Sequence, residues 1–155
     1  KKIISYISGV VLFINTLAIS EILVILLSII IRGTMPFTII CSLSLNFILL
    51  PFCCFAILLQ NTNTDITLKN INYDYIKSIC IRNSCIIGII YIFIIALGHK
   101  FVIINVDDVI FIMFVMLESV FCLSLLYEKH FLENKVAYTL VAFNILVQFM
   151  LIKLK

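Results

Sequence analysis

Charge, glycine and catalytic motifs are scarce in this chain, and each scarcity argues against a class of protein. Charged residues are only 12% of the 155 positions, and the Lys and Arg residues form no basic cluster of the kind that binds nucleic acid. Four glycines are too few for a glycine-rich nucleotide loop. The sequence has no Ser/His/Asp grouping and no His-rich metal spacing. We therefore expect no enzyme, no cofactor and no metal site.

The cysteines and histidines also lack the spacing of a reactive or zinc-binding site. Six cysteines are present, mostly inside apolar segments, and none forms a C-x-x-C pair. We expect them to act as small apolar packing residues. His99 and His130 follow different apolar segments and fall on opposite sides of the predicted membrane, so they cannot share a metal.

Long apolar runs are what the chain has in abundance. Hydrophobic residues are 64% of the sequence and the mean hydropathy is +1.26, which makes lipid the solvent for most of the chain. Because backbone groups in hydrocarbon must pair internally, these continuous runs favour helices over barrel strands. The sequence predicts one all-α integral-membrane domain over residues 1–155, a polytopic transmembrane helical bundle of five spans, or of four if the last run does not cross.

The breaks between runs set the predicted boundaries. The spans are expected at residues 3–31, 35–60, 79–97, 109–127 and 136–152, with a polar loop at residues 60–77. Pro36 is expected in the first turn of the second span, and Pro51 is expected to kink it. From Leu68 to Ile79, apolar residues at spacings of three and four predict a short amphipathic helix, which would lie at the membrane surface or form a docking surface for a partner.

Basic residues near the span ends favour one orientation. With the amino terminus inside, seven Lys and Arg residues lie on the inner side and four on the outer side. Because inner loops carry the excess of basic residues, the amino terminus is predicted on the cytoplasmic or matrix side. The Ile, Asn, Phe and Lys bias is typical of an AT-rich genome, so we expect a bacterial cytoplasmic membrane or an organellar inner membrane.

Two glutamates lie deep inside predicted spans, where a charge is costly. Glu21 belongs to the first span and Glu118 to the fourth, and neither has a basic residue within a turn or two. Asn46, Asn144 and Gln148 are further polar residues expected to face a common interior. One hypothesis makes these five residues a proton or cation relay. A second makes them neutral hydrogen-bonding groups that specify which helices pair, and a third makes them the groups that recognise the helix of a partner subunit.

A stripe of small residues marks the third span as a packing helix. Ser84, Gly88 and Gly98 fall on one face together with Tyr91 and Ile95. Because small side chains let another helix approach closely, this face is expected to be buried in protein.

Two segments carry a resemblance to a known family. The stretch ITLKNINYDYIKSIC (residues 66–80) and the later LLYEKHFLENK (residues 125–135) resemble a bacterial family of small uncharacterised membrane proteins, often encoded beside a short helix-turn-helix regulator. Its members typically have four spans. The resemblance implies membrane-tethered regulation of a companion protein, and it carries over no catalytic residue.

These features support two functional hypotheses. In the first, the chain is a non-enzymatic membrane protein that acts through protein partners, as a regulatory or accessory subunit of a membrane assembly or as a homo-oligomer. In the second, it is a proton- or cation-coupled transport component, or a membrane-arm subunit of a respiratory or ABC-type complex, that uses Glu21 and Glu118.

Overall fold

The structure, a computed structural model, describes residues 2–59, 73–100, 106–126 and 135–153. Its helices are α1 (Lys2–Arg32), α2 (Ile39–Ser44), a π-helical segment (Leu45–Leu49), α3 (Leu50–Leu58), α4 (Tyr73–Lys100), α5 (Val106–Leu126) and α6 (Lys135–Lys153). No strand occurs among these residues. Five helices are long and apolar enough to cross a membrane, with α2, the π segment and α3 together forming one of them. The predicted all-α bundle of five spans is confirmed.

Two predicted boundaries are wrong, for local reasons. The second span begins at Ile39 and not at Pro36, because Thr38 caps it: the Thr38 Oγ1 accepts a bond from the Cys41 backbone N at 3.4 Å. The end of the predicted polar loop is helical, since α4 begins at Tyr73 and continues without a break into the third span. Residues 68–72 of the predicted amphipathic surface helix lie outside the described residues, and residues 73–79 are the beginning of α4.

Other helix ends agree with the signals in the sequence. The α1 helix stops before Gly33, whose φ of 68° is a left-handed conformation that favours glycine, and the Gly33 N–H bonds to the Ile29 carbonyl at 3.0 Å. Asp107 and Asp108 lie in the first turn of α5, where negative charge complements the helix dipole. The last run forms the continuous 19-residue helix α6.

The second span is interrupted by a wide turn just before Pro51. The Leu50 N–H bonds to the Leu45 carbonyl, five residues earlier, instead of to the carbonyl four residues earlier. Pro51 has no N–H, and its ring crowds the carbonyl four residues before it. A π-type turn relieves this crowding while the backbone groups stay paired, as hydrocarbon requires. The predicted distortion at Pro51 therefore takes the form of a π segment.

The helices are arranged around α5. It packs against α1, α3, α4 and α6, and these four lie beside one another in the order α4, α1, α3, α6. Since successive spans alternate in direction, α1, α4 and α6 run one way while α3 and α5 run the other. The α5 helix is accordingly the span with the largest buried share.

Among the described helices, the parallel pair α1 and α4 has the most extensive contact, and small side chains lie along it. The Thr16 Oγ1 lies 3.2 Å from the Cys80 Sγ, and the Ser20 Oγ lies 3.2 Å from the Ser84 Oγ. Both pairs are separated by 64 positions in sequence, which fixes the register of the two helices. Ser84 is buried, and a Cβ at Gly88 would lie 2.6 Å from the Leu23 Cδ2. The surroundings of Gly98 lie outside the described side chains.

We expect Thr16→Cys to form a disulfide with Cys80 on mild oxidation in the membrane, because the atoms in these two positions are already in contact. Non-reducing electrophoresis after partial proteolysis between α1 and α4 measures the bridge. Asn15→Cys, one residue away on the lipid-facing side of α1, is the control and should remain uncrosslinked. Equal crosslinking of both variants would contradict the α1–α4 register.

We expect Gly88→Leu to destabilise the protein by about 1–3 kcal/mol, because the added side chain overlaps Leu23 in a packed interface. Thermal unfolding in detergent measures the loss. Ala96→Leu places the same side chain on the exposed side of the same helix and should leave the transition unchanged. Similar destabilisation by both variants would show that Gly88 has no special packing role.

Candidate functional site

An ion pair at one end of the bundle sets the depth of both intramembrane glutamates. Arg32, the last residue of α1, pairs with Asp107 at the start of the antiparallel helix α5. Glu21 lies eleven residues before Arg32, and Glu118 lies eleven residues after Asp107. At about 1.5 Å per residue, each glutamate is about 16 Å from the ion pair, which is the middle of a hydrocarbon core of about 30 Å. The two carboxyls therefore lie at the same depth.

Glu118 is enclosed at the centre of the bundle. Its exposed fraction is 0%, and among the described residues neither carboxyl oxygen makes a hydrogen bond. The Ser20 hydroxyl of α1 approaches the carboxyl from one side. Cys122 lies one turn after Glu118, and its thiol donates to the Cys53 carbonyl of α3 at 3.8 Å, which places Cys53 beside this part of α5. In the part of the chain that the structure describes, no basic side chain pairs with this carboxyl.

The two amides of α6 point into the same core. Asn144 and Gln148 are 0% and 1% exposed. The Gln148 Nε2 donates to the Ser44 carbonyl at 3.1 Å, which attaches α6 to the beginning of the π segment. The Gln148 Oε1 and both polar atoms of Asn144 have no partner among the described residues. Gln148 is thus fixed through its nitrogen while its oxygen is unpaired.

The register of α5 against α6 places Asn144 at about the same height along the helix axes as Glu118 and Ser119. Val115 of α5 and Gln148 of α6 line one crevice between these antiparallel helices. One turn further along each helix are Ser119 and Asn144, which are therefore at the same height. Ser119 is 1% exposed, and its hydroxyl is unpaired among the described residues. The sequence had given no reason to single out Ser119, because its position depends on the register of α6.

Glu21 has quite different surroundings. It is partly exposed at the outer edge of α1 and interacts with the side chains of Ser42 and Asn46. Asn46 is exposed, and its Nδ2 donates to the Ser42 carbonyl at 3.0 Å. A carboxyl, a hydroxyl and an amide thus lie together at mid-depth on the side that faces lipid. We call Glu21, Ser42 and Asn46 the lateral polar face.

The predicted common interior of polar residues is consequently divided into two sites. Asn144 and Gln148 lie inside the bundle with Glu118, whereas Asn46 lies outside it with Glu21. In a regular α-helix, Asn46 and Cys53 would share a face, being seven residues apart. The π segment, which contains Asn46, adds a residue to one turn and rotates the rest of the span, so Cys53 is buried and Asn46 is exposed.

Arg82 lies deeper in the bilayer than its position near the start of the third span suggested. The register of α1 and α4 places Arg82 level with Ala18, about 4.5 Å along the bilayer normal from Glu21. Its side chain is exposed, on the opposite side of α4 from Ser84. This position follows from the register of α1 and α4, because α4 begins at Tyr73, six residues before the predicted third span.

Comparisons with protein-family models, with curated proteins and with solved structures found no match to this chain. We therefore infer a function from the chemistry of the two polar sites, the buried one around Glu118 and the lateral polar face.

We expect Gln148→Met to destabilise the protein by about 1 kcal/mol, because the Ser44 carbonyl loses its interhelical donor in a medium without water. Methionine has nearly the same length and is apolar, so packing is conserved. Thermal unfolding of the purified protein measures the change. Asn15→Met removes an exposed amide from α1 and should have no such cost; an unchanged transition for Gln148→Met would contradict the role of this bond.

Proposed function

We propose that the protein is a non-enzymatic membrane subunit that acts through lateral contacts with neighbouring subunits, the first of them a second copy of the same chain. The observation that supports this most directly is the lateral polar face. Glu21, Ser42 and Asn46 place polar groups against lipid at mid-depth, where hydrocarbon offers them no partner. A protein surface that carries a complementary group would satisfy them.

Arg82 provides that complementary group. It is exposed on α4, on a different side of the bundle from the lateral polar face, and it is unpaired among the described residues. Copies in one assembly share their orientation in the membrane, so the depth of Arg82 in one copy applies to the next. The offset of about 4.5 Å from Glu21 is within the reach of an arginine side chain.

The contact is head-to-tail, because the acidic and basic groups lie on different surfaces of each copy. Such a contact forms a ring if the rotation between copies closes. Inside a bilayer, the pairing of Glu21 with Arg82 neutralises two groups that are each costly when exposed to lipid. This gives a reason for assembly that the apolar surface alone does not give, since lipid tails are as apolar as the helices.

The regulatory part of the proposal is supported by the resemblance of residues 66–80 and 125–135 to membrane proteins encoded beside a short regulator. We propose that the assembled subunit tethers or controls such a companion at the membrane surface. The polar segment between α3 and α4 would meet it, on the inner side if the distribution of basic residues sets the orientation.

We expect Glu21→Leu and Arg82→Leu each to abolish self-association when present in every copy, since each removes one half of every contact. Single-molecule photobleaching in liposomes counts the copies per complex. When the two variants are mixed, one contact remains possible, between the Arg82 of one chain and the Glu21 of the other. The mixture should therefore form dimers and nothing larger.

Asn15→Leu is the control, because it removes a lipid-facing polar group from α1 outside the lateral polar face, and it should assemble like the wild type. The proposal fails if the wild type is monomeric, if either single variant assembles like the wild type, or if the mixed variants stay monomeric.

A further inference from the structure

A second set of polar residues, separate from those in the proposed function, is enclosed between α5 and α6. Glu118, Ser119, Asn144 and Gln148 each have an exposed fraction of 1% or less, and they come from two antiparallel helices in contact. Together we call them the core polar site. They do not belong to the lateral polar face, and nothing in the proposed self-association uses them.

The unpaired atoms of this site are mostly oxygens. Among the described residues, the Glu118 Oε1 and Oε2, the Ser119 Oγ, the Asn144 Oδ1 and the Gln148 Oε1 make no hydrogen bond; the Asn144 Nδ2 is the only unpaired nitrogen of these four residues. A buried polar group without a partner costs about 1–3 kcal/mol, and more in hydrocarbon. A set of atoms with many oxygen acceptors and few donors is suited to binding a cation, which the oxygen lone pairs can coordinate.

The orientation of Gln148 supports this interpretation. An amide can usually turn to exchange its oxygen and nitrogen, but here the bond from the Nε2 to the Ser44 carbonyl fixes the nitrogen on the side of the π segment. The oxygen is therefore the atom left for another ligand. The π segment is itself a feature that often occurs at functional sites in helices.

The net charge of the site decides the class of ligand. Glu118 is the only ionisable residue of the four, and its carboxylate carries one negative charge. A monovalent cation would leave the pair neutral, whereas a divalent cation would leave an excess positive charge in the middle of the membrane. Carboxylate, amide and hydroxyl oxygens are the ligands that hard cations prefer.

We propose that the core polar site binds a monovalent alkali-metal cation, with the Glu118 carboxylate as the charged ligand and Ser119, Asn144 and Gln148 as neutral oxygen ligands. Ser20 and Cys53 border the site from α1 and α3. The cation draws α5 and α6 together in the centre of the bundle and satisfies several oxygens at once. A proton on Glu118 removes the charge but creates only one new donor.

The test is cation-dependent stability of the purified full chain. The protein is exchanged into N-methyl-D-glucamine chloride, and thermal unfolding is followed as Na⁺ or K⁺ replaces the organic cation at constant ionic strength. A ligand that binds only the folded state raises the midpoint in proportion to the logarithm of its concentration above Kd. We expect such a logarithmic rise with at least one of the two ions, and equilibrium dialysis should show binding that saturates at about one ion per chain.

Glu118→Gln conserves the shape of the side chain and removes its charge, so the cation-dependent rise should disappear. Asn144→Leu retains the carboxylate and should weaken the apparent affinity about ten-fold or more; this second variant keeps the test decisive if Glu118→Gln does not fold. Asn15→Leu is the matched control, because it makes the same substitution at an exposed position, and it should respond like the wild type.

The proposal is overturned if the wild type unfolds at the same temperature in Na⁺, K⁺ and the organic cation. It is also overturned if Glu118→Gln retains the full rise, since the ion would then bind elsewhere. A protein that responds to pH alone, with no effect of either ion, holds a proton at Glu118 and contradicts the cation site. None of these results depends on whether the chain self-associates, because Glu21 and Arg82 are unchanged in every variant.

Discussion

The absence of water from the hydrocarbon core is the constraint on which the structure depends, because it leaves each polar atom only protein partners. Thr16 and Ser20 meet this constraint by bonding to carbonyls of their own helix, at 2.8 and 2.7 Å, while presenting small side chains to α4. Gln148 meets it by bonding across helices to the carbonyl that begins the π segment. Groups that do not meet it mark the places where the protein has unused binding capacity, and in the described residues most of the buried ones belong to Glu118 and its neighbours on α5 and α6.

The two glutamates lie at the same depth, but their chemistry differs because their lateral positions in the bundle differ. The pairing of Arg32 with Asp107 aligns α1 and α5 so that both carboxyls lie near the bilayer centre. Glu118 is fully buried, on a helix that packs against the buried amides of α6, which is the basis of the proposed cation site. Glu21 faces the edge of α1 and can be reached by a neighbouring subunit. Glutamate at a single depth is thus proposed to serve both an internal cation site, through Glu118, and a contact between copies, through Glu21. The two proposals are independent because they use different residues.

The π segment links the backbone of the second span to both sites. It rotates the residues after it, so that Cys53 faces Glu118 while Asn46 remains beside Glu21. The residue just before it, Ser44, holds Gln148 in one orientation through its carbonyl. The cause is local, since Pro51 lacks the N–H that a regular helix would use there. A single proline therefore affects which polar residues share a surface.

The sequence by itself determined the fold class, the number of spans and the depth of both glutamates, because the length and hydropathy of each apolar segment must match the thickness of the bilayer. It also identified Ser84 and Gly88 as residues that lie on one face, because helical periodicity is a local property. It did not determine which polar residues meet. The sequence predicts Asn46 inside with Asn144, and it gives no reason to single out Arg82 or Ser119. Those positions depend on a non-periodic π turn and on the relative register of helices far apart in sequence, and only tertiary packing fixes these.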